Sequence, residues 1–143
     1  MTDETLMWLI RAAGAGHFAV VAASTGAPKV LRWKEELARL RPLNRQIFST
    51  YAGYILTINL LFGLISIAAP QWLIDRTPLA ACICGFIALY WGARLLLQFV
   101  YYDNSAAPPG FQYKLAEWVF IAHFAYFTGV FGFAGVRNLM AAP

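Results

Sequence analysis

The chain alternates four long apolar stretches, at residues 6–24, 47–69, 79–102 and 115–136, with shorter polar ones. Each approaches or exceeds the roughly 20 residues a helix needs to cross a hydrocarbon core about 30 Å thick. The pattern predicts an all-α integral membrane protein, residues 1–143 forming a single four-helix domain. The opening MTDET is polar and acidic, and LMWLIRAAGAGHFAVVAAS crosses if Arg11 sits near one end. The small residues of VVAAST resemble a signal cleavage spot. A secretory signal begins with a positive region, however, so a retained first span is expected.

Between the first two spans Val30, Trp33, Leu37 and Leu40 recur at three and four, while Lys29, Arg32, Lys34, Arg39 and Arg41 fill the other faces. With Pro28 at a helix start and Pro42 near its stop, this predicts a short amphipathic helix over 29–41. Its basic face suits anionic headgroups; docking under the bundle or on a partner subunit fits the same periodicity. The second span is uncharged, and its first half carries Ser49, Thr50, Tyr51, Tyr54, Thr57 and Asn59. Such a polar half should pack inward rather than face lipid. A short loop with Asp75 and Arg76 leads to the third span, and DNSAAPPGFQYK, rich in turn formers, leads to the fourth.

Composition sharpens the class: 60% hydrophobic and 13% charged residues lie well outside the soluble norm of roughly 45–50% and 25%. Six of the eleven basic residues fall between Lys29 and Arg45, so the net charge of +4 reads as an orientation signal and not as a nucleic-acid surface. By the positive-inside rule, loops 25–46 and 103–114 are expected in the cytoplasm and both termini outside, in a bacterial inner membrane. Cys82 and Cys84, two apart on one helix, point to nearly opposite sides and cannot join. No zinc spacing, H-E-x-x-H or serine or cysteine nucleophile with a histidine fixed beside it appears. Four spans without repeats make a poor transporter.

Candidate chemistry centres on Arg94, which is costly inside a span and needs a partner, a wet cavity or a reach to the interface. Tyr90, Arg94, Gln98 and Tyr101 form one stripe on the third helix. Glu117 and Asp103 are the nearest acids, and snorkelling of the guanidinium to the inner interface is the simpler alternative. Counted from inner ends at Ser24, Ile47, Tyr102 and Leu115, one residue per helix, His17, Tyr54, Arg94 and His123, reaches a depth of roughly 11 Å. Two histidines at one depth are what a bis-histidine haem b requires, with Arg94 toward a propionate. One alone could hold the magnesium of a chlorin. Small residues around them, including Gly16, Ala19, Ala122 and Gly129, leave a slot for a flat ligand or simply permit close helix packing.

Three readings follow. The first is a non-catalytic accessory or scaffolding subunit of a larger membrane complex, in contact with lipids and with other membrane subunits or further copies of itself. The second is an electron-transfer or pigment protein binding haem or chlorin through His17 and/or His123. The third is a small quinone- or lipid-binding enzyme or carrier using Tyr54, Arg94, Gln98 and His123.

Overall fold

The computed structural model describes residues 1–102 and 110–141, and among them the chain is all helical. Helix α1 spans Asp3–Val30, α2 Trp33–Ala38, α3 Pro42–Ala68, α4 Pro78–Val100 and α5 Phe111–Ala141. A single 3₁₀ turn, Pro70–Ile74, joins α3 to α4. Four of these helices, α1, α3, α4 and α5, are long and apolar enough to cross a membrane.

Local chemistry explains where they start. The Thr2 hydroxyl accepts from the Thr5 N–H and Asp3 and Glu4 occupy the first turn of α1, satisfying free donors and the positive end of the helix dipole. Thr77 caps α4 in the same way through the Ala80 N–H, and prolines 42 and 78 take first-turn positions where a missing N–H costs nothing.

Helix α1 pairs with α3 and α4 with α5, and the two pairs meet chiefly along α1 and α5. The approach of α1 to α3 depends on Gly14 and Gly63. A Cβ at Gly14 would stand 2.7 Å from Cγ1 of Ile67 and 3.1 Å from the Gly63 carbonyl oxygen, leaving no room for a side chain.

Burial is strongly one-sided. The buried residues run from Leu6 to Val20 on α1, Asn59 to Ser66 on α3, Ala80 to Trp91 on α4 and Phe124 to Asn138 on α5. All lie toward the end shared by the N-terminus, the 3₁₀ turn and the close of α5. The opposite halves, running toward the basic segment 29–45, hold no buried residue among those described. At the closed end Asn138 donates to the Leu73 carbonyl (2.8 Å) and accepts from the Arg76 N–H (3.1 Å), while Asp3 pairs with Arg76 and Arg137.

Two expectations are corrected. No single helix covers 29–41: α1 continues through Pro28 to Val30, the chain turns at Leu31 and at Arg32 in the left-handed region (φ 51°), and α2 has only six residues. A proline in the last turns of a helix removes one hydrogen bond without ending it. The second correction concerns the polar half of α3, of which only Asn59 packs inward, buried and donating to the Tyr90 hydroxyl at 3.4 Å. Residues 42–51 are all exposed, and the Ser49 and Thr57 hydroxyls donate to carbonyls of their own helix, Arg45 (2.9 Å) and Gly53 (3.0 Å). Back-bonding of this kind removes the need for an interhelical partner.

Candidate functional site

The centre of the closed half is His17, fully buried at mid-helix, fourteen residues from Asp3 and thirteen from Val30. Its Nδ1 lies 2.7 Å from the Ala13 carbonyl oxygen, which can only accept, so that nitrogen carries the proton. Its Nε2 accepts from the Trp91 indole N–H at 2.9 Å. Both ring nitrogens are therefore satisfied in the neutral tautomer. The ring stacks on Phe127 at 4.2 Å and meets Phe62 and Phe131 edge-on at 5.8 and 5.9 Å. Each of the other three long helices thus contributes at least one aromatic ring against a side chain of α1. Trp91 also stacks on Phe124 at 4.9 Å, extending the cluster toward the open half.

His123 stands on the other side of Phe127, edge-on at 5.9 Å, with its Nδ1 2.8 Å from the Val119 carbonyl oxygen. It lines a groove of about 380 Å³ between α1, at Ala19, Val20 and Ala23, and α5, at Ala116, Val119 and Phe120. Gly16 is needed here. A Cβ at that position would fall 2.9 Å from the Phe127 ring and 3.4 Å from Cδ2 of His123.

This arrangement does not support the bis-histidine haem. Axial ligation takes one unpartnered nitrogen from each imidazole; His17 has none to give, and Phe127 packs against both rings. Among the described residues no group of three or more His, Cys, Asp or Glu could hold a metal ion.

The proposed layer also dissolves in part. His17, Tyr54 and His123 are each twelve or more residues from their helix ends, whereas Arg94 is only six from Val100, roughly 9 Å. The counting error is physical: α1, α3 and α5 extend past their apolar windows at the basic end, and α4 does not. Tyr54 is 67% exposed on the outer face of α3 and joins neither histidine.

Arg94 runs along its own helix toward the basic end. Its guanidinium donates to Gln98 Oε1 (3.2 Å) and lies over the rings of Tyr102 (4.8 Å) and Phe124 (5.1 Å). Gln98 in turn donates to Glu117 Oε1 on α5 (3.2 Å). The guanidinium is thus linked to a carboxylate through the Gln98 amide and packed over two aromatic faces. Asp103, the other acid expected nearby, lies outside the described residues. Of the stripe, Tyr90 turns inward, accepting from Asn59 at 3.4 Å, while Tyr101 is exposed. The joint pocket of Tyr54, Arg94, Gln98 and His123 does not form; of these only His123 lines the groove.

The basic residues Lys29, Arg32, Lys34, Arg39 and Arg41 are all exposed at the open end. Exposed pairs Arg32–Glu35 and Arg39–Glu36 offset part of their charge at little energetic value.

Sequence reasoning missed Trp91 and Asn138. The indole was the available signal, since a buried Trp N–H needs an acceptor and His17 is one of only two histidines in the chain. Replacing Trp91 by Phe keeps an aromatic ring but strands His17 Nε2. Unfolding in detergent should show a loss of about 1–2 kcal/mol, against almost none for Trp118→Phe on the exposed face of α5. Equal losses in the two variants would refute the role given to the His17–Trp91 bond. Compared with known proteins, the chain matches no family model, no curated protein and no solved structure.

Proposed function

We propose that the protein is a non-catalytic integral membrane subunit that packs against other membrane-embedded chains through the open half of its bundle. The observation that carries this reading is the exposed face of α3, where Tyr51 and Tyr54 lie outward near mid-helix. A tyrosine hydroxyl facing hydrocarbon has no partner there, and interhelical contact supplies one. Among the described residues, the buried core makes no use of the tyrosines on α3's outer face.

The basic segment adds the sidedness. Lys29, Arg32, Lys34, Arg39, Arg41 and Arg45 lie together around α2, with Trp33 and Leu37 only partly buried. This composition favours a cytoplasmic headgroup layer of anionic lipid, with both termini on the other face.

A photoreactive phenylalanine at Tyr54 should form a discrete adduct with another protein chain in native membranes, and one at Leu89, exposed on α4, should not. Lipid adducts alone at Tyr54, or equal yields at both positions, would contradict the subunit reading. For orientation, a cysteine at Lys34, with Cys82 and Cys84 replaced by Ala, should react with an impermeant maleimide only when the cytoplasmic face is open. Labelling in intact cells would reverse the topology.

A further inference from the structure

We propose that the groove between α1 and α5 binds an alkylated hydroquinone, with His123 Nε2 accepting a hydrogen bond from a phenolic hydroxyl. The inference is independent of the subunit reading and begins from the tautomer. Nδ1 of His123 lies 2.8 Å from the Val119 carbonyl oxygen; a carbonyl only accepts, so the proton is on Nδ1 and Nε2 presents a lone pair. Among the described residues that lone pair has no hydrogen-bond partner, and the groove around it is apolar apart from Gln112. Gln112 is eleven residues away on the same helix, roughly 16 Å, and cannot supply one.

The position narrows the ligand class. His123 is eight residues past Leu115, where the apolar stretch of α5 begins, roughly 12 Å, which is inside the hydrocarbon. Acyl chains reach this depth but carry no O–H. Phospholipid headgroups carry donors but stay at the boundary, where their charge is hydrated. A phenol on an apolar ring with a hydrocarbon tail brings a donor to this depth without burying a charge. The walls suit it: Ala19, Val20 and Ala23 give a shallow surface on α1, Phe120 lines it from α5, and about 380 Å³ accommodates a ring with the first part of a tail. The groove is on the bundle surface, so entry is lateral, from the bilayer.

Redox form is the discriminating variable. A hydroquinone donates to Nε2, whereas the oxidised quinone offers only carbonyl acceptors and sets lone pair against lone pair. The purified full-length protein in detergent is titrated calorimetrically with decylubiquinol and with decylubiquinone. The reduced form should bind about tenfold more tightly. His123→Leu should erase that preference, and Ala19→Leu, at an exposed position on the groove wall, should block both forms while leaving the gel-filtration profile unchanged. Equal affinity for the two forms in the unaltered protein, no binding of either, or a preference that survives His123→Leu would overturn the assignment. So would a Soret band lost in His123→Leu, because Nε2 would then be ligating a metal. The redox preference and Ala19→Leu remain decisive if His123→Leu fails to fold.

Discussion

The closed half of this bundle is organised by one buried hydrogen bond, from the Trp91 indole to Nε2 of His17. It ties α4 to α1 at mid-helix, and its geometry is fixed from both sides because the Ala13 carbonyl holds the proton on Nδ1. In a hydrocarbon surrounding, where apolar burial gives helices little reason to associate, packing and a few polar contacts of this kind set the register. Phe62, Phe127 and Phe131 complete the ring of contacts. The small residues at Gly14, Gly16 and Gly63 allow the helices to come close enough for it.

From that point order runs in one direction. Toward the termini, Cys84, Asn138 and the 3₁₀ turn form a second polar knot around the Leu73 carbonyl, and Asp3 closes the end against two arginines. Toward the basic end no described residue is buried, Gln98 links Arg94 to Glu117, and the α1–α5 groove opens with His123 on its wall. The division suggests a rigid anchor and a working half. A histidine with both nitrogens spent belongs to the first; one with an unused lone pair belongs to the second.

The four spans were legible because each is a long, predominantly apolar window, only the second being free of charge, and a capping threonine or a first-turn proline marks the start of α1, α3 and α4. Their basic ends were not: α1 runs on through Pro28, and α3 starts at Pro42, ahead of its apolar window. The Arg94–Gln98 contact follows from four-residue spacing on one helix and could be read directly. The partner of His17 could not, since interhelical register is absent from any single helix's pattern. Tyr54 was placed inward because polar residues in a span usually seek other helices. The hydroxyls of Ser49 and Thr57 on the same stretch instead bond their own backbone, leaving that half of α3 free to face outward.

With only two histidines in the chain, selective ¹⁵N imidazole labelling tests the division most directly. His17 should show a protonated Nδ1, an unprotonated Nε2 coupled to the Trp91 indole proton, and no response to added decylubiquinol. His123 should show the same tautomer with Nε2 uncoupled, and that resonance should move on addition of the quinol. A His17 signal lacking the coupling, or moving with added ligand while His123 stays still, would contradict the assignment of a structural and a binding histidine.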